Sequence, residues 1–79
     1  MNNNDIIAGF DDEQDDSLKI RLQKVDGLEK CVVVFLNGYI DTYNSAFFQK
    51  KIARLIEGGF SQIIFNCASL NYVSSTGIG

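Results

Sequence analysis

Apolar and polar residues alternate over residues 18–23, where Leu18, Ile20 and Leu22 are interleaved with Lys19, Arg21 and Gln23. A period of two predicts a strand covered on one face and wet on the other, at or near a sheet edge. Residues 30–36 lose that alternation. Cys31, Val32, Val33, Val34, Phe35 and Leu36 form a continuous apolar run, which predicts a strand buried on both faces. Between the two runs, Asp26-Gly27 supplies a turn able to take positive φ, so the pair reads as a hairpin with a loop longer than the two-residue ideal.

The period changes after Gly38-Tyr39-Ile40-Asp41. Thr42-Tyr43-Asn44-Ser45 is rich in side-chain oxygens that can accept from the free N–H groups of a first helical turn. Phe48, Ile52, Leu55 and Ile56 then recur at helical spacing, and Phe47 widens the stripe. Gln49, Lys50, Lys51, Arg54 and Glu57 take the wetter side, and Gly58-Gly59 offers a left-handed stop. Gln62-Ile63-Ile64-Phe65-Asn66 is a further short strand, leading through residues 67–73 to the polar turn Ser74-Ser75-Thr76-Gly77.

The predicted order is therefore β-β-α-β. A strand, helix and strand in succession form a right-handed crossover, so the strands around Val34 and Ile64 are expected parallel, with the helix on one face. The second face has nothing to cover it. Residues 74–79 read as the opening of another helix, so the chain looks like the N-terminal portion of a larger α/β domain, truncated at its C-terminus. Such a fragment is expected to self-associate as a homo-oligomer, to exchange elements, or to be poorly ordered.

Charge divides the chain at residue 16. Residues 1–16 carry six acids and no base, with three successive asparagines and the block Asp11-Asp12-Glu13-Gln14-Asp15-Asp16. Such a composition buries little and repels itself, which predicts a flexible acidic arm ahead of a domain at 17–79. Ile6, Ile7 and Phe10 could still dock the arm on a partner or an adjacent surface. Seven bases and four acids follow, so the remainder is +3 and the acidic character of the chain, −3 in all, belongs to the arm. Neither a secretory start nor an 18-residue apolar run is present, which predicts a soluble cytoplasmic protein that binds neither membrane nor nucleic acid. Cys31 and Cys67 show no metal or disulfide spacing and read as small buried hydrophobes, and no metal or cofactor is expected.

The hydroxyl cluster at residues 74–77 admits three chemistries besides simple helix capping. A serine nucleophile lacks a base, because the chain has no histidine and no G-x-S-x-G elbow, so no enzyme is expected. A phosphate-cradling loop lacks the G-x-x-x-x-G-K-[ST] pattern and its lysine. A phosphoacceptor fits: a helix N-terminus tolerates the new charge, and the added roughly −1.5 to −2 units would disturb a flat, partly apolar contact with a partner.

Gly38-Tyr39-Ile40-Asp41, the helix from Asn44-Ser45-Ala46, Gly59, Ile63-Ile64-Phe65-Asn66, and the run from Leu70-Asn71-Tyr72-Val73 through Ser74-Ser75-Thr76-Gly77-Ile78-Gly79 together resemble the STAS domain of bacterial anti-sigma factor antagonists. The resemblance implies a mixed β-sheet with helices on one side, here only its N-terminal β-β-α-β part. It also implies partner switching: the unmodified antagonist binds an anti-sigma factor that is a serine kinase, phosphorylation reverses this, and a PP2C-type serine phosphatase restores it. The family's motif reads Asp-Ser-Ser/Thr-Gly-Leu-Gly, which maps the acceptor onto Ser75, with Ser74 at the aspartate position and Thr76 and Gly77 following. Asp41 and Asn44 fall where the family meets its kinase. Related STAS domains also serve as scaffolds in stress-signalling, transporter or lipid-trafficking assemblies, or bind nucleotide or protein without phosphorylation.

Overall fold

The alternating and apolar runs become three strands, and the helical stripe becomes one long helix. In the computed structural model, which describes residues 2–73, the order is α1 (Asn3–Ile6), a 3-10 turn (Phe10–Asp12), β1 (Leu18–Val25), β2 (Leu28–Ile40), α2 (Ser45–Glu57) and β3 (Gln62–Val73). The sheet runs β1-β2-β3, antiparallel between β1 and β2 and parallel between β2 and β3, as the crossover requires. Val25 pairs with Leu28, so the hairpin turn is the two residues Asp26-Gly27, tighter than the spacing suggested. Gly27 takes φ 81° there, and the register shift between Lys24 and Val25 absorbs the mismatch between the runs.

One face of the sheet holds the core. Leu18 and Leu22 of β1 and Val32, Val34, Leu36 and Ile40 of β2 are buried with Leu55 and Phe60, and Phe47, Phe48 and Ile52 of α2 pack against them. The opposite face stays open. Val33 and Phe35 are half-buried, and the Arg21 guanidinium lies 4.0 Å from the Phe35 ring centroid, a pairing set by the cross-strand register Arg21↔Phe35. The expectation that residues 30–36 are buried on both faces is met in part: Cys31, Val32, Val34 and Leu36 are buried, whereas Val33 and Phe35 are only half-buried and Lys30 is exposed.

Helix α2 ends as its glycines suggested. Gly59 sits at φ 98°, its N–H donates to Ile56 O and the Phe60 N–H to Leu55 O, both at 3.1 Å, which is the Schellman closure, with buried Phe60 and Leu55 as its apolar partners. Two positions on the helix depart from the spacing. Ile56 is 61% exposed, whereas Lys51, assigned to the wet side, is 6% exposed. Lys51 is buried by the N-terminal segment, which covers that side of α2: the Lys51 amine donates to Phe10 O and lies 4.7 and 5.2 Å from the Phe10 and Phe47 ring centroids.

The flexible arm is likewise corrected. Residues 2–16 fold back on the sheet and α2, which is the docking that Ile6, Ile7 and Phe10 allowed. Phe10 is 1% exposed within the core cluster, and Ile6 and Ile7 pack against it. The asparagines serve the backbone rather than disorder. Asn2 Oδ1 accepts from the N–H groups of Asn4 and Asp5 while Asp5 accepts from the Asn2 N–H, a capping box. Asn3 is buried, donating to Ile20 O at 2.7 Å and Asp11 Oδ1 at 2.9 Å and accepting from Leu22 N–H at 2.7 Å. The acidic block faces cations of α2: Glu13 meets Lys50 at 3.3 Å, and Arg54 donates to Ala8 O at 2.7 Å. Cys31 is buried as read, but Cys67 is exposed, because β3 lies at the sheet edge.

Candidate functional site

Parallel pairing of β2 and β3 brings their C-terminal ends to one corner, where Ile40 pairs with Val73 and the chain enters α2. Open α/β sheets place ligands and partners beyond such strand ends. The corner starts from Asp41. Its Oδ1 accepts from the Tyr43 N–H at 2.9 Å and the Asn44 N–H at 3.1 Å, its own N–H donates to Asn44 Oδ1 at 2.9 Å, and its carbonyl accepts from Ser45 N–H at 3.0 Å. Asp41 and Asn44 thus cap each other, and the helical path begins one turn ahead of α2 itself.

Asn44 then ties this turn to the rest of the fold. Its side-chain nitrogen donates at 2.8 Å to both Tyr39 O and Ser17 Oγ, and Ser17 Oγ donates to Asp15 Oδ1. Those two bonds from the Ser17 hydroxyl and N–H hold the Asp15 carboxyl below its usual range. Gly38 makes the crossing possible. At φ 120° it lies so close to Ser17 O that any Cβ would overlap that carbonyl, and the next N–H, of Tyr39, donates to Ser17 O at 3.0 Å.

Of the residues expected at the site, Asp41 sits half-buried at the corner, and Asn44 is 1% exposed. Both amide protons and the amide oxygen of Asn44 are engaged within the fold, so its part is to hold the turn. The acceptor Ser75 and its neighbours Ser74, Thr76 and Gly77 lie outside the described residues. Two peptide links join Ser75 to Val73, a Cα reach of about 7.6 Å at most.

Sequence reasoning overlooked Ser17 and Asp15, which lie far from Asn44 in the chain, and it overlooked the aromatic rim. All three tyrosines of the chain border this corner: Tyr39 precedes Ile40, Tyr43 lies in the Asp41 turn at 94% exposure, and Tyr72 pairs with Tyr39. Exposed tyrosines gathered in one place are typical of protein-binding surfaces. The signal was available as Tyr39-x-Asp41-x-Tyr43 and needed only the strand register to add Tyr72.

Among the described residues no group of His, Cys, Asp or Glu is arranged to hold a metal ion, and no helix is long and apolar enough to cross a membrane. A search of curated proteins finds no significant match. The family model described as the STAS domain matches residues 19–79, most of the chain, beginning inside β1 and running through the corner and the hydroxyl turn. The mixed three-stranded sheet with its crossover helix agrees with that match, and the chain belongs to the STAS domain family.

Proposed function

We propose that this STAS domain is an anti-sigma factor antagonist that acts by partner switching, with Ser75 as the phosphoacceptor. One observation carries the reading: the register Ile40↔Val73 sets the strand leading to Ser75 beside the strand leading to Asp41, with exposed tyrosines around both. The domain binds and is modified, and the chemistry belongs to its partner. A serine-kinase anti-sigma factor docks on the tyrosine rim and the Asp41 turn. The Ser75 hydroxyl oxygen then attacks the γ-phosphorus of ATP, ADP leaves, and the hydroxyl proton passes to a base of the kinase.

The new phosphoryl group adds roughly −1.5 to −2 charges within the apolar and aromatic contact, and the complex dissociates. A PP2C-type phosphatase hydrolyses the ester and restores binding. Ser74 at the usual aspartate position removes one negative charge next to the acceptor, so the hydroxyl is oriented by the corner and the kinase. That substitution also favours a second reading, a STAS scaffold that binds without phosphorylation.

Incubation of the full chain with its cognate anti-sigma kinase, Mg²⁺ and ATP, followed by mass spectrometry, tests this. The expected result is one phosphate on Ser75, none on Ser75→Ala, and weakened kinase binding by Ser75→Asp. An unmodified wild-type chain whose kinase binding survives Ser75→Asp contradicts the proposal and leaves the scaffold reading.

A further inference from the structure

Ser17 is the last residue before β1, and its polar groups face two ways. Its N–H donates to Asp15 Oδ1 at 2.8 Å and its hydroxyl donates to the same oxygen, in a turn closed by the Leu18 N–H on Asp15 O at 3.3 Å. On the other side, where β2 runs into the Asp41 turn, its carbonyl accepts from the Tyr39 N–H and its hydroxyl accepts from the Asn44 amide. Asp15 and Ser17 both precede residue 19, where the match to the family model begins.

A serine hydroxyl has one proton to give and lone pairs to receive with. The Asp15 carboxylate accepts only, so it takes that proton and leaves a lone pair facing Asn44. Asn44 must then turn its nitrogen toward Ser17, a sense that Tyr39 O, also an acceptor, reinforces at 2.8 Å. The Asn44 oxygen is thereby aimed at the Asp41 N–H at 2.9 Å, and Asp41 Oδ1 receives the N–H groups of Tyr43 and Asn44. Each bond fixes the sense of the next, from a carboxylate of the N-terminal segment to the exposed Tyr43. Asn44 is buried, so a donor released there has little water to turn to.

We propose that Ser17 is a positioning residue for the Asp41 turn: through Asp15 and Ser17, the N-terminal segment holds that turn in the conformation on which a partner docks. This rests on the reading of the corner as the partner-binding surface. The segment has its own anchors, Phe10 in the core and Asn3 on β1, so its docking and the order of the turn are linked. Such a link is reciprocal, and a partner that orders the turn also tightens Asp15 against Ser17.

A double-mutant cycle on the full chain, read by amide hydrogen exchange and by phosphorylation kinetics, tests the proposal. Ser17→Ala is expected to speed exchange of the Tyr43 and Asn44 amides about tenfold, and Asp15→Ala about threefold, beyond any change at the Phe60 amide past the far end of α2. In the Ser17→Ala background, Asp15→Ala is expected to add less than about 1.5-fold, because its path to the turn runs through the hydroxyl. With the cognate anti-sigma kinase, each single variant is expected to raise the KM for the domain about three- to tenfold while kcat stays within about twofold, since docking is weakened and the acceptor is untouched.

Corner amides that change no more than Phe60, or effects of the two substitutions that simply add, overturn the proposal. So does a phosphorylated wild type whose KM is unchanged in both variants. A wild-type chain that the kinase leaves unmodified overturns the functional reading instead, and the exchange cycle then decides the link by itself.

Discussion

Strands β1 and β3 both lie at an edge of the three-stranded sheet, yet they are finished in opposite ways. On β1, the Asn3 amide bonds Ile20 O and Leu22 N–H, two edge groups that would otherwise face water or another strand. Lysine and arginine occupy its wet face, and Phe10 anchors the covering segment in the core. On β3, no charge interrupts twelve residues, and exposed Ile64, Phe65, Tyr72 and Val73 line the edge. Among the described residues, β1 is the covered edge of the sheet and β3 the edge with exposed apolar side chains.

The largest expected effect tests whether the cover on β1 is real. Phe10→Ala empties a buried aromatic site and should cost about 3–5 kcal/mol in denaturant unfolding, whereas a flexible arm would lose almost nothing. Gly38→Ala should cost about 3 kcal/mol by the same measurement, since it forces a side chain into a left-handed conformation against Ser17 O, where the segment meets β2.

Asn3→Ala should cost about 1–3 kcal/mol by leaving the edge groups of Ile20 and Leu22 without their partner. Its counterpart on the other edge, Gln62→Ala, should change the stability of the dilute chain by no more than about 0.5 kcal/mol. Equal costs at the two positions would erase the distinction between the edges.

Two pH responses sharpen the comparison, and both belong to the β1 side. Burial lowers the Lys51 pKa below 10.5, so the unfolded chain binds more protons between that lowered value and 10.5. Stability should therefore rise with pH across that window, by at most about 1.36 kcal/mol per pH unit, and Lys51→Met should flatten the rise. Asp15 shifts the other way. Its carboxyl is held below 3.8, so its contribution is present above 3.8 and is lost as pH falls through the lowered folded value. Ser17→Ala should remove this small acid-side dependence in melts recorded between neutral and low pH.

The closed side was also the part least legible in the sequence. Leu18-x-Ile20-x-Leu22, Asp26-Gly27 and the Gly58-Gly59 stop each act locally, and the strand, turn and helix end they imply are present. Residues 2–16 read as disorder because acids and asparagines bury poorly on average. Here a specific geometry overrules composition, with the Asn3 amide matched to a strand edge and the acidic block set against Lys50, Lys51 and Arg54. The same contact put Lys51 inside, which helical spacing alone could not reveal.

At the candidate site, Asp41 and Asn44 were legible as helix-start residues. The burial of Asn44 was not, since it depends on Ser17 arriving from another strand through the opening that Gly38 leaves. Cys67 was read as buried because its run is apolar; its exposure follows from the edge position of β3, a property of topology rather than of local pattern.

Residue-resolved amide hydrogen exchange on the full chain tests the asymmetry of the two edges most directly. The Leu22 amide, held by Asn3, should be protected, whereas the outward edge amides within residues 62–66 should exchange fast. A Leu22 amide that exchanges as fast as the edge amides of β3 would contradict it.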